Sequence, residues 1–81
     1  MPHFLFHLRD GVDRTLDPES VELPDMDAVK RKALEAARDV TAHGIIDGKL
    51  DLNLRIDVED ENETIVYTLA FRDAFEIVPP D

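Results

Sequence analysis

The stretch that decides the fold is LDLNLRIDVE at residues 50–59, in which apolar and polar residues alternate without interruption. Five apolar side chains therefore share one face and five polar side chains share the other, a period typical of a β-strand with one buried and one wet face. A polar segment at residues 60–63 follows, and the alternation resumes from Thr64 to Phe71. The two stretches predict a β-hairpin whose apolar faces match across the strands.

The N-terminal segment His3–Arg9 has the same period of two. Phe4, Phe6 and Leu8 share the face that we expect to be buried. The Asp10-Gly11 dipeptide predicts a turn, because glycine accepts positive φ angles at no steric cost. A second, weaker strand is expected around residues 14–16.

Residues 25–44 between the two hairpins predict an amphipathic helix. Asp25 is a suitable N-cap, because its carboxylate can accept hydrogen bonds from free amides of the first turn. Gly44 is the expected end of the helix, and His43 lies in the last turn, where positive charge is favourable. The apolar stripe at helical spacing consists of Met26, Val29, Ala33, Ala36, Ala37 and Val40. Its many alanines predict a helix that lies close to the surface it covers.

The element order β-β-α-β-β predicts an α+β fold. We expect a two-layer structure, a four-stranded mostly antiparallel sheet with one amphipathic helix on one face. Two hairpins joined by a helix also allow a parallel central pair across the crossover. Residues 72–77 either extend the last strand or turn away to cap the core. The whole chain, 1–81, is expected to form a single small domain, with disordered ends at 1–2 and 79–81.

The composition excludes several classes of function. The chain has 81 residues, with 9 lysines and arginines against 19 aspartates and glutamates, a formal net charge of −10. Such an acidic chain is not expected to bind nucleic acid directly or to dock on an anionic membrane. The absence of cysteine excludes disulfides, thiolate nucleophiles and cysteine zinc sites. No signal peptide or membrane span is visible, so a cytoplasmic location is expected.

Two segments carry a resemblance to a known family. They are HFLFHLRDG at residues 3–11, an aromatic-rich start, and SVELPDMDA at residues 20–28, followed by Lys32-Ala33-Leu34. These segments resemble a family of small bacterial proteins known only as domain of unknown function 6894, over nearly the whole chain. A bend of the chain is also expected at residues 17–20. Ser20 departs from the family pattern, which leads us to expect glycine in this bend. The resemblance implies a single-domain bacterial protein and assigns no activity, cofactor or catalytic residue.

Neither of two candidate metal sites has suitable spacing. His3 and His7 share one strand face, but at about 3.3 Å per residue they stand about 13 Å apart, too far to share one ion. The acidic segment 57–63 does not match a calcium loop, because Asn62 stands at the glycine position and Thr68 at the glutamate position. We therefore predict no metal site and interpret the acidic segment as a solvated hairpin tip.

Two Arg-Asp pairs are the remaining candidates for a site. Each pair follows a strand of similar pattern, and both pairs could meet at one end of the sheet. Together with a neighbouring histidine they give the candidate partner or ligand residues His7, Arg9, Asp10, Arg72 and Asp73. The alternative interpretation is local, with aspartates accepting turn amides and arginines covering apolar surface.

The sequence does not predict an enzyme. It contains no Gly-x-Ser-x-Gly motif, and its three glycines do not form a phosphate-binding loop. A chain this small rarely encloses a pocket of several hundred Å3. We therefore expect no catalytic residue and no cofactor.

Three hypotheses about function remain. The leading one is a non-catalytic protein-interaction module, either binding a protein partner or forming a homodimer through an edge strand or the mixed face of Leu5, Val66 and Ala70. The second is an acidic mimic of nucleic acid that occupies a basic site on another protein, motivated by the net charge of −10. The third is a small-ligand binder or enzyme centred on the end of the first strand, at His7 and Arg9-Asp10.

Overall fold

The computed structural model describes residues 1–10 and 15–81, of which residues 15–18 by their backbone alone. The order of its elements is β-β-α-β-β, as the sequence predicts. The elements are β1 (His3–Arg9), β2 (Thr15–Glu22), α1 (Met26–Ile46), β3 (Arg55–Glu59), β4 (Ile65–Ala70) and a 3-10 turn (Phe71–Asp73). The predicted turn at 10–13 lies, apart from Asp10, outside the described residues, and so does the start of the weaker strand predicted at 14–16. That strand, β2, is longer than predicted, because residues 17–20 pair with β1 where the sequence indicates a bend.

The four strands form one sheet in the order β2-β1-β3-β4, and each neighbouring pair is antiparallel. The α+β prediction is confirmed, but the possibility of a parallel central pair is wrong. Strands β2 and β3, which the helix connects, do run parallel to each other, but β1 lies between them. His3 pairs with Glu22 at one end of the sheet, and Arg9 pairs with Arg55 at the other. The helix carries the chain back between these ends, so β3 starts beside the end of β1.

The core lies between the helix and one face of the sheet. The buried apolar side chains of the sheet come from the predicted faces, Phe4 and Phe6 in β1, Ile56 and Val58 in β3, and Leu69 in β4. The helix contributes Val29, Ala33 and Ala37, which are fully buried. Three small or β-branched residues on this stripe let the helix axis approach the sheet closely, as the alanine content predicts. Burial of each large side chain contributes about 1.5–3 kcal/mol.

The start of α1 agrees with the prediction, and its end does not. The Asp25 carboxylate accepts a hydrogen bond from the Ala28 backbone N–H at 2.8 Å. The helix passes through Gly44 and ends at Ile46. Lys49 N–H donates to the Gly44 carbonyl at 2.7 Å and Gly48 N–H to the Ile45 carbonyl at 2.9 Å, the pair of hydrogen bonds that defines a Schellman motif.

Two different constraints place glycine at 44 and at 48. Gly48 has a φ of +83°, the left-handed conformation that follows a helix and that other residues adopt only with strain. Gly44 is helical, and a Cβ atom there would lie 2.9 Å from the Lys49 carbonyl oxygen. Gly44, which the sequence predicts to end the helix, instead lies within it. Because it has no side chain, the chain at Lys49 can fold back against the helix.

Strand β3 is shorter than the alternating stretch at 50–59. Leu50 is 58% exposed, and residues 51–54 form a turn before the strand begins at Arg55. The Asp51 carboxylate accepts a hydrogen bond from the Asn53 N–H at 2.9 Å, which fixes this turn locally. The alternation therefore overestimates the strand by five residues, because a side-chain-to-backbone hydrogen bond competes with strand pairing.

Residues 71–74 turn away from the sheet and close the core. Phe71 is fully buried, its N–H donates to the Leu54 carbonyl at 3.0 Å, and Ala74 is buried beside it. Arg38 of the helix donates from Nε to the Ala74 carbonyl at 3.2 Å. Of the two outcomes that the sequence leaves open for this segment, the capping turn is therefore the one observed.

Residues 1–10 and 15–81 contain one α-helix and one 3-10 turn. The longest helix there, α1, is 21 residues long and carries charged side chains along its exposed face. Within these ranges no helix combines the length and the apolar character needed to cross a bilayer.

Replacing Gly48 tests the Schellman motif. We expect Gly48→Ala to lower the free energy of unfolding by about 1 kcal/mol, because alanine is strained at this positive φ. Gly48→Asn is the matched control and should cost less, since asparagine tolerates the left-handed region. Urea denaturation measures both changes, and an alanine variant as stable as the parent chain would contradict the assignment.

Candidate functional site

The face of the sheet opposite the helix carries a polar cluster built by cross-strand pairing. His7 of β1 pairs with Asp57 of β3, and Asp57 pairs with Thr68 of β4. Arg9 pairs with Arg55 in the neighbouring row. Because directly paired residues point to the same face, these side chains lie side by side on the outer face.

Asp57 is the centre of this outer-face cluster. It is only 8% exposed, although α1 covers the other side of the sheet. Its Oδ1 accepts a hydrogen bond from the Thr68 hydroxyl at 2.8 Å. Its Oδ2 lies 2.9 Å from Arg9 Nε and 3.4 Å from Arg55 Nε. The two guanidinium groups and the threonine shield the carboxylate from water while supplying donors to it, as a buried charge requires.

The two arginines contact Asp57 in different ways. Arg55 Nε donates a hydrogen bond to Oδ2, whereas the Arg9 N–H is close to that oxygen but not aligned on it. At this nitrogen, the Arg9 contact is therefore an ion pair. Both arginines make further interactions in addition to these contacts.

His7 and Glu59 lie beside Asp57 on the same face. His7 Nε2 is 3.3 Å from Glu59 Oε1, and both side chains are largely buried. The contact becomes an ion pair only when the imidazole is protonated. The polar outer face, which the alternating pattern predicts to be solvated, is thus a packed layer of polar and charged side chains around Asp57 and His7.

A cavity of about 240 Å3 lies at the end of the sheet where β1 terminates, under the C-terminal part of α1. It is lined by Asp10, Val40, Thr41, Gly44, Lys49, Asp51 and Leu54. Thr41 is only 8% exposed, and its hydroxyl has no hydrogen-bond partner among the residues that the structure describes. Burying a hydroxyl without a hydrogen-bond partner lowers the free energy of unfolding by about 1–3 kcal/mol, a large amount for a chain of this size.

The five candidate residues from the sequence fall into three places. His7 and Arg9 lie together in the outer-face cluster. Asp10 lines the cavity at the end of the sheet. Arg72 and Asp73 are exposed in the 3-10 turn, and within the described part of the chain neither forms a hydrogen bond or ion pair. The two Arg-Asp pairs therefore do not form one joint cluster among the described residues.

The histidines of β1 point to separate partners. His3 Nε2 lies 3.0 Å from Glu22 Oε1, at the opposite end of the strand pair from Arg9. Across residues 1–10 and 15–81, no group of three or more histidine, aspartate or glutamate side chains is arranged to hold a metal ion.

One comparison with known proteins identifies the family. A family model described as a domain of unknown function, DUF6894, matches residues 3–72, which include all four strands and the helix. The chain belongs to the DUF6894 family. No curated protein and no solved structure matches it.

Sequence reasoning found only two members of the outer-face cluster of this DUF6894 chain, His7 and Arg9. The alternation with apolar residues predicts that three further members, Arg55, Asp57 and Thr68, point outward. Which side chains they contact depends on which strands are neighbours in the sheet. The pairing of β1 with β3 joins residues about 50 positions apart, and no local pattern specifies it. The oppositely charged residues Arg55 and Asp57 on one strand face were the signal that could have indicated a buried charge.

His43 occupies the position expected for a cation near the end of the helix. Its Nδ1 lies 2.8 Å from the Asp39 carbonyl oxygen and 3.7 Å from the Asp39 carboxylate. The hydrogen bond to the Asp39 backbone, then the charge of Asp39, raise the pKa of His43 above 6.5. A raised folded-state pKa means that this imidazolium stabilises the fold fully below about pH 6.5 and loses the effect as pH rises through the raised value.

Replacing Asp57 tests whether the outer-face cluster depends on its charge. We expect Asp57→Asn to lower the free energy of unfolding by about 2 kcal/mol, because two partly exposed guanidinium groups lose their shared carboxylate. The same change at exposed Asp73 should alter it by less than about 0.5 kcal/mol. Urea denaturation compares them, and equal effects of the two variants would refute a central role for Asp57.

The His43 assignment predicts a specific titration. The NMR titration of the His43 ring in the DUF6894 chain should give a pKa above 6.5, and Asp39→Asn should lower it only in part. The backbone acceptor at residue 39 survives this substitution, whereas the carboxylate charge does not. Asp27→Asn, about 24 Å away along the helix axis, is the control and should leave the value unchanged. A value at or below 6.5 would contradict the assigned contacts.

Proposed function

We propose that this chain is a non-catalytic protein-interaction module that binds an extended segment of another protein along the free edge of β4. The observation that carries the proposal is the composition of this edge. Strand β4 ends the sheet, and its sequence, IVYTLA, contains no charged residue and no proline. Edge strands normally carry such residues, because unpaired backbone groups recruit other strands.

The opposite edge supports this interpretation by contrast. Strand β2 has the sequence TLDPESVE, with three acidic residues and a proline. Proline removes a backbone donor, and charges oppose the approach of another strand. Within the described sheet, therefore, one edge has the residues that prevent pairing and the other lacks them.

The exposed side chains of β4 suit an added strand. Ile65 is 45% exposed and Val66 is 36% exposed. In β-strand addition, main-chain hydrogen bonds supply affinity and alternate side chains supply specificity. A strand laid beside β4 would cover this apolar surface and satisfy its outward backbone groups.

The charge around β4 favours a basic partner. The turn before β4 contains Asp60, Glu61 and Glu63, and the last two are exposed. Asp60 fixes the turn, since its Oδ1 accepts from the N–H groups of Asn62 and Thr64. A partner segment with lysine or arginine at the end that lies over this turn would be attracted, whereas a second copy would bring another net charge of −10.

The non-catalytic part of the proposal rests on the sequence. The chain has no cysteine and no Gly-x-Ser-x-Gly motif. The most buried carboxylate described, Asp57, is engaged by Thr68 and two arginines, which leaves it poorly placed to act as a base.

A charged residue in β4 should abolish partner binding. We expect Val66→Lys to lose a protein that the parent chain captures from lysate of its source organism, because lysine obstructs strand addition at an edge. Val66 is outside the core, so the fold should persist. Ile77→Lys, the same type of change at an exposed residue of the C-terminal segment, should retain the protein. Hydrogen exchange on the purified complex should show slower exchange at residues 65–70.

Three results would overturn the proposal. A partner retained equally by Val66→Lys and Ile77→Lys would place binding elsewhere. Slowed exchange confined to residues outside 65–70 would do the same. Self-association that Val66→Lys abolishes, and that strengthens with added salt, would make a second copy the occupant, whereas a basic partner should bind more weakly as salt rises.

A further inference from the structure

We infer that the partner segment beside β4 carries a carboxylate at the position that faces Tyr67, and that the Lys30 ammonium binds this carboxylate. The inference rests on the proposed function and deepens it, because it specifies the charge pattern of the partner. Its starting point is the Lys30 ammonium nitrogen, which lies 5.9 Å from the centre of the Tyr67 ring. Tyr67 belongs to the edge strand β4, so this ammonium lies over the margin of the sheet.

The charge of Lys30 is available to a partner. Lys30 is exposed on α1, and its ammonium contacts the half-buried ring of Tyr67. Within residues 1–10 and 15–81 it forms no ion pair, not even with Asp27, which lies one helical turn earlier. An ammonium group has three hydrogen-bond donors, and a carboxylate is the acceptor that binds such a group most strongly.

Strand addition places one partner side chain next to Lys30. Residues that pair directly across neighbouring strands point to the same face, with Cβ atoms about 4.5–5.5 Å apart. Tyr67 points to the inner face of the sheet, because it pairs with the fully buried Val58. The partner residue that pairs with Tyr67 therefore points to the same face, on the side of α1. A glutamate at this position meets the Lys30 ammonium.

The two ends of the β4 edge favour opposite charges in the partner. At its start the exposed Glu61 and Glu63 favour lysine or arginine, whereas Lys30 favours a carboxylate beside Tyr67. Glu63 precedes Tyr67 by four residues, and Ile65, which is 45% exposed, lies midway between them. The partner strand therefore carries a carboxylate, then an apolar residue two positions away and a basic residue four positions away.

The direction of the partner follows from the rest of the sheet. All three strand pairs of the described sheet are antiparallel. Antiparallel pairing is also slightly more stable per residue than parallel pairing. In an antiparallel partner the carboxylate precedes the basic residue in the sequence, because its chain runs from the end of β4 towards the start of β4.

Three capped peptides test this charge pattern. The first is Thr-Thr-Glu-Val-Ile-Thr-Lys, in which the glutamate faces Tyr67 and the lysine faces Glu63. The second has glutamine in place of the glutamate, and the third is the first in reverse order. Amide NMR shifts of residues 65–70 report binding at the edge. We expect the first peptide to bind about threefold to tenfold more tightly than either of the others.

The glutamine peptide separates the Lys30 contact from general electrostatics. It is more basic than the glutamate peptide by one charge. The net charge of −10 on the chain would by itself favour the glutamine peptide. The inference predicts the opposite order of affinity.

Two matched variants locate the carboxylate contact. Lys30→Gln removes the charge at an exposed helix position, and glutamine is as good a helix former as lysine. It should abolish the preference for the glutamate peptide and change the affinity for the glutamine peptide less than about twofold. Lys49→Gln makes the same change at another exposed lysine, beyond the end of α1, and should retain the preference.

The results distinguish failure of this inference from failure of the proposed function. Equal affinity for the glutamate and glutamine peptides, or a preference that Lys30→Gln retains or Lys49→Gln loses, would overturn only the inference. Tighter binding of the reversed peptide would overturn the assigned direction of the partner. Saturable shifts at residues 65–70 with none of the three peptides would overturn both the inference and strand addition at β4.

Discussion

The antiparallel pairing of β1 with β3 is the contact on which the rest of the structure depends. It joins two hairpins that are each local in sequence, and it connects residues about 50 positions apart. Its formation closes a long loop, which costs entropy before any other long-range contact can form. Once made, it aligns Phe6 with Val58 on the inner face and His7 with Asp57 on the outer face. The helix then covers an apolar surface that neither hairpin presents alone.

The two faces of this pairing restrict its register in different ways. A slip by one residue would turn Phe4 and Phe6 toward solvent, so the apolar pattern excludes it. A slip by two residues would keep the apolar faces together, and hydrophobic burial alone discriminates against it only weakly. The polar face opposes the slip that would place Asp57 opposite Leu5, because it would move Asp57 away from Arg9 and leave a buried carboxylate short of partners. The outer-face cluster therefore acts as a determinant of strand register in addition to any role in binding.

The successes and failures of the sequence-based predictions divide by the range of the interaction. The N-cap at Asp25 depends on a side chain and an amide three residues apart, and the helix stripe depends on spacing alone; both are observed. The end of the helix was predicted at Gly44, but the helix continues to Ile46 and Gly48 follows it. Its true end depends on how residue 49 folds back against the helix, which the local sequence does not specify. The prediction of where β3 starts was wrong, because Asp51 forms a local hydrogen bond that the alternation of apolar and polar residues does not reveal. The cavity follows from these two differences, since residues 49–54 would not line it if they continued the strand.

The bare edge of β4 and the acidity of the chain are complementary properties. An edge strand without charges or proline invites pairing with any other extended chain, including a second copy of itself. The net charge of −10 opposes the approach of copies at separations up to a Debye length, about 8–10 Å at physiological ionic strength. Repulsion that acts at long range does not block the edge, because the residues of β4 are themselves uncharged. Charge repulsion thus opposes pairing of this edge with a second copy of the chain, while a basic partner segment can still bind it. Charged residues or proline within β4 would have removed this selectivity, because they would oppose both kinds of strand.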